Sequence, residues 1–156
     1  MTEICNKDRI EIIRTNSENI AFKKLVELLN SDLANRDGNT HSLSQFNVIH
    51  NLKYVVLALK DGKYIGCGAI AKHNSNSMEI KRMYVSPEVR GQRIGEKILS
   101  ELENWSRELK CSKCILFTGS KQPEAIKLYV RNGYYPIQKY GKLKDISDSL
   151  CFAKDL

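Results

Sequence analysis

The chain has 156 residues, 42% of them hydrophobic, and its 25 lysines and arginines exceed its 18 acids to give a formal net charge of +7. That length suits one domain, residues 1–156, able to bury about two-thirds of its unfolded surface, and the cationic balance suits an anionic ligand or a nucleic acid without choosing between them. Five cysteines are an odd number, no apolar signal region follows Met1, and no run is apolar enough to span a bilayer, so neither a disulfide framework nor a membrane protein is expected and a reducing cytoplasm is.

Ile10 to Arg14 reads as a short strand, and Asn16 or Ser17 is placed to cap a helix whose apolar positions Ile20, Phe22, Leu25, Leu28, Leu29 and Leu33 recur at helical spacing. That helix should stop before Asp37-Gly38. Residues 39–51 are polar and aperiodic around Phe46 and Ile49, as in a loop or irregular helix that shapes an acceptor pocket. Tyr54 to Leu59, the turn Asp61-Gly62 and Tyr64 to Ala71 predict a hairpin, and the polar turn Asn74-Ser75-Asn76-Ser77 leads into a third antiparallel strand, Met78 to Val85. From Gly91 to Lys110, Ile94, Ile98, Leu99, Leu102, Trp105 and Leu109 trace one helix face. A strand at Cys114 to Phe117, a helix from Pro123 to Arg131 closed by Asn132-Gly133, and a strand near Leu150 to Ala153 complete an α/β order β-α-β-β-β-α-β-α-β, with a mixed, mostly antiparallel sheet flanked by helices.

Between the third strand and the long helix stands Val85-Ser86-Pro87-Glu88-Val89-Arg90-Gly91-Gln92-Arg93-Ile94-Gly95. A strand that gives way through a Pro turn to a glycine-punctuated helix start offers free backbone N–H groups at the positive end of a helix dipole, with the guanidinium groups of Arg90 and Arg93 beside them. This is a phosphate cradle, unless it is an ordinary helix start with surface arginines. A second segment, Gln122-Pro123-Glu124-Ala125-Ile126-Lys127-Leu128-Tyr129-Val130-Arg131-Asn132-Gly133-Tyr134, puts a tyrosine on a short helix ending at a glycine, where a plain core tyrosine also fits.

Arg90 to Gly95 resembles the coenzyme A pyrophosphate loop of the GNAT superfamily of N-acetyltransferases, Gln/Arg-x-x-Gly-x-Gly/Ala, and the second segment resembles that superfamily's Asn-x-x-Ala-x-x-Leu-Tyr-x-x-x-Gly-Phe/Tyr. The element order is similar too, so the resemblance spans most of the chain. It implies an enzyme that carries an acetyl group from acetyl-CoA to a primary amine, with no metal. It further implies that Met83, Tyr84 and Val85 bind the pantetheine arm by their backbone, that an N–H there faces the oxyanion, and that Arg90, Gly91, Gln92, Arg93, Ile94, Gly95 and Gln122 hold the cofactor. Tyr129 would protonate the departing thiolate, and Glu79 would accept the amine proton. Two positions depart from the pattern: Arg93 replaces a glycine and Gln122 an asparagine. Arg93 should therefore turn away from the diphosphate or onto it.

Glu79 shares a strand face with Lys81 and is alternatively its ion-pair partner. Lys81 and Arg82 precede the expected bulge, where a carboxylate on the acceptor is one use for them and a solvated face another. His41, His50 and His73 qualify as bases only by residue type, Cys151 is a less fitting nucleophile, and Cys111-Ser112-Lys113-Cys114 lacks the second pair that a zinc site needs. The rival readings are a coenzyme A sensing module without turnover and a nucleic-acid-binding protein, the latter resting on net charge alone. A homodimer through exposed strand edges is common in the superfamily.

Overall fold

The computed structural model describes residues 9–37 and 51–156. Its elements run β1 (Ile10–Thr15), α1 (Ile20–Asp37), β2 (Tyr54–Lys60), β3 (Lys63–Asn74), β4 (Ser77–Val85), α2 (Ile94–Glu108), β5 (Lys113–Gly119), α3 (Pro123–Arg131), β6 (Tyr135–Ile137) and β7 (Ser149–Asp155). The seven strands form one sheet ordered β1-β2-β3-β4-β5-β7-β6, antiparallel except for β4 against β5. The loop expected around Phe46 and Ile49, with His41 and His50, lies outside the described residues, as does Cys5.

Alternation in β2 assigns the two layers. Val55 and Leu57 face α1 and meet Phe22, Leu25, Val26 and Leu29, whereas Val56 and Ala58 face α2 and meet Ile98, Leu99 and Leu102. Both faces of the central strands are thus buried. On α1 the expected stripe is partly corrected: Ile20 and Leu28 are exposed and Val26 takes a core place. The cap is also corrected, because Asn19 Oδ1 accepts from the Phe22 N–H at 3.1 Å, while Asn16 Oδ1 accepts from Glu18 N–H in the preceding turn.

The hairpin turns at Asp61 and Gly62, with φ of +53° and +76°. Two further expectations move. α2 begins at Ile94 rather than Gly91, and an additional strand, β6, pairs with β7 at the sheet edge. β6 has three residues and a central Pro136, which a strand tolerates only where its missing N–H faces away from a partner.

The β3–β4 ladder holds the feature that shapes the site. Cys67 pairs with Tyr84 and Ala69 with Lys81, so Arg82 and Met83 together oppose Gly68. A Cβ on Gly68 would lie 2.6 Å from Met83 Sδ, 2.8 Å from Leu102 Cδ1 and 2.9 Å from Ile98 Cγ2. Glycine lets α2 settle directly over the bulge. Gly68→Val is expected to cost about 3 kcal/mol by overpacking and to lower Tm by about 5 °C or more in calorimetry; an unchanged Tm would show that α2 shifts without cost.

Candidate active site

β4 and β5 stay in register for only three rungs, Ser77 with Lys113, Met78 with Cys114 and Glu79 with Ile115. Beyond Glu79 they part, although β4 continues to Val85 and β5 to Gly119. The gap is a cleft of about 500 Å³ walled by Ile80 to Val85 on one side and Phe117 to Gly119 on the other, with the loop before α2 and one face of α3 closing its ends. Along the cleft, β5 does not pair with the β4 edge beyond Glu79, the kind of strand edge to which an extended group can add.

The loop before α2 is folded by its own sequence. Pro87–Val89 form one 3-10 turn, Ser86 N–H is anchored on the Ile65 carbonyl at 2.8 Å, and Arg90 Nε donates to the Val85 carbonyl at 3.0 Å. Arg90 also approaches Asp32 of α1 at 3.8 Å. Gly91 has φ of +84° with open space around its Cβ direction, so it is a glycine for conformation. Arg93 has φ of +62°: an arginine takes the left-handed backbone that the usual glycine supplies. No side chain caps α2, whose first N–H groups have no acceptor within the helix.

Gly95 serves a different end. A Cβ there would sit 3.2 Å from Leu128 Cδ2, so glycine lets α3 approach the start of α2. Of the residues expected to hold the cofactor, Met83, Tyr84, Val85, Arg90, Gly91, Arg93, Ile94, Gly95 and Gln122 all line the cleft. Gln92, expected with them, is not among the lining residues, and its Oε1 accepts from Lys60 Nζ of β2 at 2.8 Å. Arg93 and Lys127 are exposed on the rim, and Arg131 pairs with Glu96 at 3.6 Å.

Tyr129 lines the same cleft from α3, buried edge-on against Tyr134 with ring centroids 5.7 Å apart. Tyr134 is fixed in turn by its hydroxyl, which donates to the buried Glu103 at 2.8 Å, and Glu103 pairs with Lys154 at 2.9 Å. Burial pushes the Tyr129 phenol up from its ordinary value, so it keeps its proton at neutral pH.

Glu79 sits at the last rung before the strands part and is not among the lining residues. Its side chain is 13% exposed, and both carboxylate oxygens are engaged: Oε1 by Lys81 Nζ at 3.0 Å, Oε2 by the Tyr140 hydroxyl at 2.6 Å. The ion pair anticipated with Lys81 therefore forms. Tyr140 was not expected in this role. Burial and then the Glu79 charge push its phenol up, and its ring meets His73 edge-on at 5.1 Å. His73 belongs to β3. Cys151 is buried, and burial raises its thiol, which disfavours a nucleophilic thiolate. Cys114 gives its S–H to Ser106 Oγ at 3.4 Å, and its thiol is pushed up to about 11 by burial.

A family model described as the acetyltransferase (GNAT) family matches residues 22–134. The chain belongs to this family. An IAA acetyltransferase from Azospirillum brasilense is 37% identical over 90 residues, 55% of this chain and 59% of that protein. An aminoalkylphosphonate N-acetyltransferase from Salmonella typhimurium is 30% identical over 128 residues, 77% of this chain and 80% of its relative. Among solved structures, an acyl-CoA N-acyltransferase from Klebsiella pneumoniae superposes with a TM-score of 0.81 at 28% identity, covering 95% of this chain and 98% of the other. GNAT membership gives the reaction class, transfer of an acetyl group from acetyl-CoA to an amine. No helix among the described residues is long and apolar enough to cross a membrane.

Proposed function

We propose that this GNAT domain transfers the acetyl group directly to a primary amine, of a small molecule or a peptide, in a ternary complex in the cytoplasm. The observation that carries this reading is the junction of two parted strand edges with an uncapped helix N-terminus, entered through a left-handed Arg93. Each feature meets one part of acetyl-CoA. The Arg90 to Gly95 loop, with Lys127 across the cleft, would hold the phosphates, and the free edge of Met83 to Val85 would take the pantetheine arm. When bound there, acetyl-CoA supplies the thioester.

The chain's own groups then have distinct tasks. The acceptor amine gives up its proton toward Glu79 as the N–C bond forms, N–H groups of the β4 edge near Val85 stabilise the charge gathering on the carbonyl oxygen, and Tyr129 returns a proton to the sulfur as the C–S bond breaks. Tyr140 holds Glu79 in place. Both phenols are raised by burial, which suits a donor that must stay protonated at neutral pH.

Thermal unfolding with and without acetyl-CoA tests the loop. At a hundredfold excess over Kd the ligand should add about 2.7 kcal/mol, a rise of several degrees. Arg90→Ala and Arg93→Ala should abolish most of that rise. Arg90 also braces the loop through Val85 and Asp32, so its variant is judged on the ligand-induced shift and not on its unliganded Tm. No rise at millimolar acetyl-CoA would overturn the assignment.

A further inference from the structure

Arg82 stands in the least favourable surroundings of any cation among the described residues. It occupies the β4 bulge at φ +61°, a left-handed conformation that bulky residues avoid. It is 4% exposed, and Nε, Nη1 and Nη2 are all buried without a hydrogen-bond partner among the described residues. A guanidinium carries five donors, and a buried charge without a partner is among the most costly arrangements that a fold can hold.

Neighbouring groups do not relieve it. Cys67 gives its S–H to the Arg82 carbonyl at 3.2 Å, but burial pushes that thiol up to about 12, so it brings no negative charge at neutral pH. Glu79, earlier in the same strand, is already engaged by Lys81 and Tyr140. Desolvation lowers the Arg82 guanidinium to about 10, which leaves it cationic at neutral pH. The residue lines the cleft at the point where β4 and β5 have parted, beyond the rung that carries Glu79.

Resting on the acetyl-transfer reading above, we propose that Arg82 is the docking point for an anionic headgroup on the amine acceptor. The acceptor class is then an amino acid or an amino-oxoanion such as an aminophosphonate, and polyamines and plain alkylamines are excluded. The guanidinium fork matches a carboxylate or a tetrahedral oxoanion with two parallel hydrogen bonds. Because the cation is already stripped of water, an anionic acceptor gains the pairing without that cost, whereas a neutral acceptor leaves the charge orphaned and is rejected. Lys81 does not compete for this task, since Glu79 holds it.

The test compares matched amines: glycine, β-alanine and lysine, each against its carboxamide, with aminoethylphosphonate beside β-alanine to separate the two headgroups. Thiol release is followed at equal free-amine concentration for the natural chain, Arg82→Gln and Arg82→Lys. The natural chain should favour an anionic member over its neutral partner by about 10²-fold or more in kcat/KM. Arg82→Gln should bring that ratio near unity through KM with the acetyl-CoA KM unchanged, and Arg82→Lys should restore part of it. Unliganded Arg82→Gln should be at least as stable as the natural chain, because an unpaired buried charge has gone; a marked fall in Tm would assign Arg82 a structural contact and overturn the proposal. Equal use of neutral amines would also overturn it. So would an equal loss of kcat on every acceptor, which would move Arg82 to the oxyanion. Failure of every amine would count against acetyl transfer itself. The docking site would then be read by thermal unfolding with millimolar β-alanine against β-alaninamide, where a rise for the acid alone, absent in Arg82→Gln, supports it and equal or absent rises reject it.

Discussion

Tyr129→Phe is expected to lower kcat by about 10²-fold or more while the affinity for acetyl-CoA holds. The ring is buried on α3 against Tyr134, which is itself tied to Glu103, so phenylalanine keeps the edge contact and the cleft wall. Only the hydroxyl is removed. On the proposed role, the proton for the departing sulfur goes with it, and the C–S bond must then break to an unprotonated thiolate in a buried, poorly solvated site. The pH dependence follows from the direction of the shift. Burial raises the phenol above the ordinary tyrosine value of about 10, so the donating form is complete throughout the neutral range and is lost only above that value. The natural enzyme should therefore show no alkaline loss of kcat from this group below about pH 10. Steady-state thiol release at saturating acetyl-CoA, with the Tm of the variant as a control, decides the matter: an unaltered kcat at an unaltered Tm takes Tyr129 out of the mechanism.

How far the sequence foretold this architecture depends on how local each signal is. The Asp61-Gly62 hairpin and the Asn132-Gly133 helix end were legible because the residues that need unusual backbone are the ones that can adopt it. The α2 stripe was legible from Ile94, Ile98, Leu99 and Leu102, but its start was not, since Arg93 adopts a left-handed backbone that no propensity scale assigns to arginine. β6 escaped because three residues around a proline carry no strand period. The loop proposed to hold the cofactor was visible for the same reason as the hairpin: its residues are contiguous. Gln92 shows the limit of that argument, because a motif cannot reveal that Lys60, on another strand, claims its side chain. Tyr140 and Glu79 meet across 61 residues of sequence, and their hydrogen bond exists only once β3, β4 and the segment before β7 are assembled. The bulge at Arg82 likewise depends on register, and nothing in the residues Lys81-Arg82-Met83 announces which one will be turned into the interior.

The pairing of Glu79 with Tyr140 leads to the second large effect. Glu79→Gln should reduce kcat/KM by about 10²-fold, Tyr140→Phe should cost less, and the double variant should be little worse than Glu79→Gln alone. Glutamine matches the shape of glutamate but offers one oxygen and an NH2 group. Its oxygen can accept from one of the two donors, Lys81 at 3.0 Å or the Tyr140 hydroxyl at 2.6 Å, while its NH2 group faces the other, and it cannot accept a proton from the amine. Tyr140 retains its own proton, raised as it is by burial and by Glu79, so its part is to aim the carboxylate rather than to exchange protons with the amine. Removing the aim after the base has gone leaves little more to lose, and this makes the double variant the discriminating one. An ion pair that only braces β4 would behave differently: Tm would fall in Glu79→Gln, kcat/KM would stay, and the two substitutions would act on stability instead of on rate.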